Sequence, residues 1–108
     1  MMHEAKRKRL EAKGWRLGDA KAFLGLSDPE AEFVELKLRL ARTLREKRLS
    51  RRLGQVALAK IVHSSQSRVA KMEAADVSVS LDLLIRSLQA LGTSNPELGR
   101  IISRSDAS

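Results

Sequence analysis

Residues 55–72 read QVALAKI-VHSS-QSRVAKM, and this stretch decides the fold. Apolar residues recur in both outer segments at the spacing of helices that bury one face. Counted from Gln55, the small residue Ala59 is fifth, where two short helices would approach most closely. The other positions expected to be buried are Leu58, Val62, Val69 and Met72. The pattern predicts two short helices, over 55–61 and 66–72, joined by a tight turn.

This arrangement is a helix-turn-helix, whose second helix presents polar side chains near its N-terminus to the DNA major groove. Ser65 is placed to cap that helix, so Gln66, Ser67 and Arg68 would stand at its exposed start. Gln can form paired hydrogen bonds with adenine and Arg with guanine. We therefore assign these three residues to base contacts; an ordinary solvated surface is the alternative.

Basic and polar residues around the motif suit the DNA backbone. Gln55 begins the first helix, where backbone amides favour a phosphate. Arg51 and Arg52 end a basic run that starts at Arg39, and Lys71 follows Arg68 on the same helical face. The residues expected at phosphates are Arg51, Arg52, Gln55, Ser65 and Lys71. For the earlier members of the basic run, a solvated helix face is the simpler interpretation.

The composition of the 108-residue chain fits one soluble intracellular domain without catalytic chemistry. Lys and Arg outnumber Asp and Glu by 21 to 13, and the net charge of +8 favours a polyanionic or acidic partner. The chain has no Cys and only two distant histidines, so we expect no metal and no cofactor. No nucleophile–base pair and no apolar membrane span is recognisable, so the expectation is a non-enzymatic cytoplasmic protein that acts at the nucleoid.

Helix signals divide the rest of the chain, and no alternating run predicts a strand. A capping box at Ser27 and Glu30 starts a helix expected to run to about Lys47. The buried face of this helix would carry Phe33, Leu36, Leu40 and Leu44. Ser80 would cap a helix over 81–91, and a last short helix would follow Asn95. The prediction is an all-α protein with a helical extension over 1–30, a five-helix domain over 31–102 and a flexible tail over 103–108.

From about Glu35 to Ile102 the chain resembles the xenobiotic-response-element family, whose domains are similar to the phage Cro and repressor proteins. The matching residues are Leu53, Gln55 to Lys60, Ser65 to Glu73, and Ser78 to Leu84. The resemblance implies a compact Cro-like helix-turn-helix fold and a repressor that binds an inverted repeat in double-stranded DNA as a homodimer. In that family the counterpart of Gln55 touches the DNA backbone and can brace the recognition helix.

Two positions depart from that family's pattern. Gly54 stands where a capping Ser or Thr is usual, and His63 occupies the turn position that usually holds Gly. We expect a left-handed backbone at His63, because His tolerates it better than most residues. The apolar residues Leu98, Ile101 and Ile102 are assigned to a homodimer interface, with inward packing as the alternative.

Upstream, Gly14-Trp15 and Phe23 to Ser27 resemble a subgroup of type II antitoxins of the HigA kind. This resemblance implies an antitoxin that represses its own operon and binds a toxin of the RelE or HigB kind, with Trp15 and Phe23 on the partner-binding surface. Packing of these residues against the main domain is the alternative. A stand-alone phage-type repressor, or an interaction module that has lost specific DNA binding, also remains open.

Overall fold

The computed structural model describes residues 28–104, and this part of the chain consists of five α-helices without a strand. They are α1 (Asp28–Ser50), α2 (Gln55–Ile61), α3 (Gln66–Glu73), α4 (Leu81–Ala90) and α5 (Asn95–Ser103). The all-α prediction is therefore confirmed. The predictions for the first 27 residues, including Trp15, Phe23 and the Ser27 cap, and those for 105–108 lie outside the described residues.

Residues Leu36–Arg104 form a compact unit around an apolar core to which all five helices contribute. The motif residues Leu58, Ala59, Val69 and Met72 are buried in this core, as the sequence predicted, whereas Val62 is partly buried and packs against it. Burial of each large aliphatic side chain contributes about 1.5–3 kcal/mol. Phe33 was expected on the buried face of α1 but is 49% exposed. It lies on the first turns of the helix, before the compact unit begins.

Three of the helices begin at a serine that caps them. The hydroxyl oxygens of Ser65, Ser80 and Ser94 accept hydrogen bonds from backbone N–H groups in the first turns of α3, α4 and α5. Such a cap satisfies a donor that the helix itself cannot pair. At the start of α2, Gly54 has an extended backbone and offers no side-chain cap. The substitution noted in the sequence is therefore tolerated without a change of fold.

Four helices end in the same way, with a residue in the left-handed conformation. These residues are Arg52 (φ 56°), His63 (φ 56°), Ala75 (φ 53°) and Gly92 (φ 89°). In each case the following N–H group bonds back to a carbonyl in the last helical turn, as in Leu53 N to Arg48 O at 3.1 Å. The left-handed backbone predicted at His63 is confirmed. Glycine, the residue that adopts this conformation without strain, occupies one of the four positions.

Candidate nucleic-acid interface

The turn between α2 and α3 fixes how the second helix is presented. The N–H of His63 bonds to Lys60 O at 3.3 Å, and that of Ser64 bonds to Ala59 O at 2.8 Å. Because the left-handed residue reverses the chain sharply, α3 starts only a few residues after α2 ends. Ala59 is 4% exposed, so its small side chain lies in the core and permits the close approach of the two helices. This geometry is that of a helix-turn-helix.

The three residues predicted to read bases stand together at the solvent-exposed start of α3. Gln66, Ser67 and Arg68 are all exposed, and they follow directly after the cap residue Ser65. The Ser65 hydroxyl accepts a hydrogen bond from Arg68 N at 3.2 Å and lies 3.3 Å from the Ser67 hydroxyl. The cap therefore fixes the first turn of α3 and leaves its side chains directed to solvent.

Gln55 and Gln66, the first residues of α2 and α3, contact each other through their side chains. The amide nitrogen of Gln66 donates to the amide oxygen of Gln55 at 2.7 Å. The amide nitrogen of Gln55 in turn donates to Glu73 Oε1 at 3.2 Å. The hydrogen bond between Gln55 and Gln66 therefore joins α2 to the start of α3, which is the contact that the resemblance implied. The bond from Gln55 to Glu73 adds a second contact at the C-terminal end of α3.

A buried ion pair lies beneath this contact. Arg48, near the end of α1, donates from Nε to Glu73 Oε2 at 2.5 Å and from Nη2 to Oε1 at 2.9 Å, while its Nη1 donates to Leu53 O at 2.8 Å. The two side chains are 10% and 5% exposed. The pKa of Arg48 is raised, because the hydrogen bond to Glu73 favours its charged form despite burial. The recognition helix is therefore anchored to α1 at its C-terminal end.

Comparison with known proteins supports the assignment that this geometry indicates. A family profile described as a helix-turn-helix domain matches residues 39–101, which is more than half of the chain. The chain belongs to the helix-turn-helix domain family. The profile is of the Cro type, in agreement with the resemblance found in the sequence. Comparisons with curated proteins and with solved structures gave no match.

The basic residues of the helix-turn-helix domain divide into an internal and an external set. Arg39 and Arg48 are buried and bonded within the chain, and Lys47 pairs with Glu97 at 2.7 Å. In contrast, eight exposed basic residues have no carboxylate within 4.0 Å in the part of the chain that the structure describes: Arg45, Arg51, Arg52, Lys60, Arg68, Lys71, Arg100 and Arg104. Four of these form the external set, which comprises Arg51, Arg52, Arg68 and Lys71. They are the basic residues that the sequence assigned to bases and phosphates.

The structural role of the internal set was not predicted from the sequence. Leu40, Leu44 and Arg48 are spaced four residues apart, so all three lie on the stripe of α1 that faces the core. This spacing could have indicated that Arg48 is buried and needs a carboxylate. Arg39 is held similarly: its guanidinium donates to Ile101 O at 3.2 Å and to Ile102 O at 3.0 Å, which caps the C-terminal end of α5.

A loop that the sequence left undefined is also tied to the domain. Lys37 Nζ donates to Asp76 O at 2.7 Å, which joins α1 to the segment after the recognition helix. Asp76 Oδ1 accepts from the Ser78 hydroxyl at 2.7 Å and from Ser78 N at 2.9 Å. These bonds, the side-chain bond foremost, lower the pKa of Asp76. The segment that follows α3 is therefore tied to α1 through Lys37 and Asp76.

The residues assigned to a dimer interface occupy different environments. Leu98 and Ile101 are 6% and 5% exposed and pack in the chain's own core, whereas Ile102 is 41% exposed. Inward packing, the alternative considered for this segment, therefore describes the first two residues. Of the three, only Ile102 offers substantial apolar surface to a second copy.

Two further properties of the domain concern residues 28–104 alone. No His, Cys, Asp and Glu side chains cluster there in a way that could hold a metal ion. None of the helices in the same range has the length and apolar character needed to cross a bilayer.

Proposed function

We propose that this protein is a homodimeric transcriptional repressor that binds a specific inverted-repeat operator. The observation that supports the proposal is the placement of Gln66, Ser67 and Arg68, exposed and adjacent at the capped start of α3. Gln and Arg are the side chains best suited to paired hydrogen bonds with adenine and guanine in the major groove. The protein acts by occupying a promoter rather than by catalysis, on DNA of the nucleoid in the cytoplasm.

The external basic residues supply the part of the affinity that does not depend on sequence. Arg51 and Arg52 lie between α1 and α2, close in the chain to Gln55, and Lys71 lies on the recognition helix itself. Contacts of such residues with phosphates release counterions, so binding weakens as salt rises. Together with Gln55 and Ser65 they would set the position of α3 in the groove.

Two copies are required to read an inverted repeat. Recognition helices of dimeric proteins with this motif lie about 34–36 Å apart, which matches one turn of DNA. Ile102 is the exposed member of the apolar α5 segment, and we assign it to the dimer contact, whereas Leu98 and Ile101 are buried in the chain's own core.

Selection from a random duplex library at about 150 mM salt tests the proposal, because nonspecific attraction is weakened under these conditions. The expected result is a two-fold symmetric site. Arg68→Ala should lower affinity for that site by about 1–3 kcal/mol and relax one base position in each half. Arg51→Ala should weaken all duplexes alike and reduce the salt dependence. Identical behaviour of the two variants would contradict the assignment of Arg68 to a base.

Failure to enrich any sequence would leave an interaction module as the better description. That alternative is motivated by Gly54 and His63, which depart from the resembled pattern at the start of α2 and in the turn. Salt dependence alone would not separate the two functions, because a chain with a net charge of +8 also binds DNA nonspecifically. The ratio of specific to nonspecific affinity is therefore the deciding quantity.

We further propose that the repressor is the antitoxin of a type II operon that regulates its own promoter. The support is the resemblance carried by Gly14-Trp15 and Phe23 to Ser27. On this proposal the extension that contains Trp15 and Phe23 binds a toxin of the RelE or HigB kind. Deletion of the residues before Ser27 should abolish toxin binding and retain operator binding. Equal loss of both activities would contradict this division. If the full chain itself binds no toxin, a stand-alone repressor is the better description.

A further inference from the structure

Four side chains form a continuous series of hydrogen bonds from the interior of the domain to the DNA-reading end of α3. Arg48 donates to Glu73, Gln55 donates to Glu73 at 3.2 Å, and Gln66 donates to Gln55 at 2.7 Å. The first bond joins α1 to α3, and the other two join α2 to the two ends of α3. Gln66, the outermost member, is also one of the three residues assigned to bases.

The direction of every bond in this series follows from the charge at Glu73. A carboxylate only accepts hydrogen bonds, and a guanidinium only donates them. The Gln55 amide must therefore turn its nitrogen toward Glu73, since its oxygen would face a carboxylate oxygen in the opposite orientation. This leaves the oxygen of Gln55 toward Gln66. Gln66 must then direct its own nitrogen inward, toward Gln55.

We propose that Glu73 acts through Gln55 as a positioning residue that makes Gln66 present its carbonyl oxygen to the DNA. Gln66 would then select a base that offers an amino group in the major groove. The inference rests on the proposed function, because it assumes that Gln66 reads a base. Glu73 itself is buried and would not touch the DNA.

In the major groove, the four bases differ in whether they present a hydrogen-bond donor or an acceptor to the Gln66 carbonyl oxygen. Adenine and cytosine present amino donors, N6 and N4, whereas guanine O6 and thymine O4 are acceptors. An outward carbonyl oxygen on Gln66 bonds to the first pair and is repelled by the second. Adenine suits it best, because the second N–H of the Gln66 amide, which is not used by Gln55, can donate to adenine N7.

A substitution at Gln55 can reverse the orientation of the Gln66 amide without changing Gln66 itself. A lysine side chain only donates hydrogen bonds, so in Gln55→Lys it would pair with Glu73 and donate to the oxygen of Gln66. The Gln66 nitrogen would then face outward. We expect the preference at the contacted base to change from adenine or cytosine to guanine or thymine, by about 5- to 150-fold in relative affinity.

Gln55→Glu is the matched control. The new carboxylate is repelled by Glu73 and loses that hydrogen bond, but it can only accept from Gln66, so the nitrogen of Gln66 remains directed inward and the preference for an amino-bearing base is retained. Affinity for all duplexes should fall, because a further negative charge is added near phosphates. The two variants alter the same position but should have opposite effects on base preference, which a purely structural role of Gln55 would not produce.

The experiment is selection of random duplexes with the full chain and both variants, after circular dichroism has shown that each is folded. Gln66→Ala identifies the contacted base as the position at which preference disappears. A wild-type site that keeps its adenine or cytosine in Gln55→Lys would overturn this inference and leave the proposed function standing. Enrichment of no sequence by the wild-type protein would overturn both.

Should Gln55→Lys fail to fold, Gln55→Ala gives a second test. Alanine removes the acceptor that holds the Gln66 nitrogen, so the Gln66 amide becomes able to rotate. Discrimination at the contacted base should then fall several-fold, while the preferences at the positions read by Ser67 and Arg68 persist. Unchanged discrimination at that base in Gln55→Ala would also overturn the inference.

Discussion

The carboxylate of Glu73 is bound by the guanidinium of Arg48 through two hydrogen bonds, of 2.5 and 2.9 Å, in the interior of the domain. The contact joins the end of α1 to the end of the recognition helix. It also supplies the acceptor for Gln55, and so a buried interaction reaches the surface that we assign to DNA. We therefore expect both the stability of the domain and the placement of Gln55 and Gln66 to depend on this pair of side chains.

Arg48→Met should lower the free energy of unfolding by about 3–5 kcal/mol, because it leaves the Glu73 carboxylate buried without its oppositely charged partner. Urea unfolding followed by circular dichroism measures the change. The double variant Arg48→Met with Glu73→Leu should recover most of the loss, because both charges are then removed from the interior.

The ion pair between Arg86 and Asp82 on α4 is a suitable control. Its side chains are 75% and 72% exposed and 3.3 Å apart. Exposed pairs contribute little, so Arg86→Ala should change stability by less than about 1 kcal/mol. Equal effects of Arg48→Met and Arg86→Ala would show that the buried pair does not anchor α3.

The left-handed residues at the helix ends predict opposite effects for two substitutions. A residue with a side chain loses about 1–2 kcal/mol in this conformation, while glycine loses up to about 1 kcal/mol more backbone entropy on folding. His63→Gly should therefore stabilise the domain by up to about 1 kcal/mol. Gly92→Ala should destabilise it by about 1 kcal/mol, since φ there is 89°.

Thermal unfolding of both variants checks this prediction, and DNA binding is a second measurement for His63→Gly. The turn is already left-handed at His63, so the relative placement of α2 and α3 should not change. If His63→Gly lowers the free energy of unfolding, the His63 imidazole stabilises the fold by more than the left-handed backbone destabilises it.

The helix-turn-helix was predictable from sequence because its constraints are local. The spacing of Leu58, Val69 and Met72 gives the buried face, and a serine before α3 gives the cap. Local signals of this kind also gave the starts of α4 and α5. The end of α1 was not predicted correctly, because the helix continues to Ser50 rather than Lys47. No glycine marks this end, and Arg52 adopts the left-handed conformation there instead.

Interactions between distant parts of the chain were not predictable in the same way. The partner of Arg48 lies 25 residues away, and that of Arg39 lies 62 residues away. A basic run in a sequence does not show which of its members find such partners. The assignment of Arg51 and Arg52 to phosphates followed from proximity to the motif, and their exposure in the structure is consistent with it.

Loss of a helix cap should affect DNA binding only where the cap belongs to the recognition helix. Ser65→Ala and Ser80→Ala each remove one side-chain cap, at the starts of α3 and α4. Both should lower stability by about 0.5–2 kcal/mol. Only Ser65→Ala should also weaken operator binding at temperatures where both variants are folded, because its hydroxyl fixes the turn that carries Arg68.

Fluorescence anisotropy with labelled operator measures the binding, and chemical unfolding measures the stability. Ser80 serves as the matched control, since its hydroxyl accepts a backbone N–H of the same kind at 3.1 Å. Equal loss of operator affinity in the two variants would indicate that general destabilisation, rather than the orientation of α3, explains the effect.

Acid should weaken the attachment of α5 to α1. Lys47 Nζ lies 2.7 Å from Glu97 Oε2, and this hydrogen bond is the main cause that lowers the pKa of Glu97 in the folded chain. A carboxyl whose pKa is lowered by folding stabilises the native state above its ordinary pKa, about 4.3 for Glu. That contribution is lost as pH falls through the lower, folded value. Unfolding measured from pH 6 downward should therefore show declining stability below about pH 4–5.

Glu97→Gln isolates this contribution, because glutamine does not titrate. The variant should be less stable than the wild-type protein at pH 6, and the difference should shrink as pH falls below the ordinary carboxyl range. Asp76, whose pKa is also lowered, remains in both proteins, so some acid sensitivity should persist in the variant. A difference in stability that stays constant down to the acid transition would show that Lys47 does not act on the charge of Glu97.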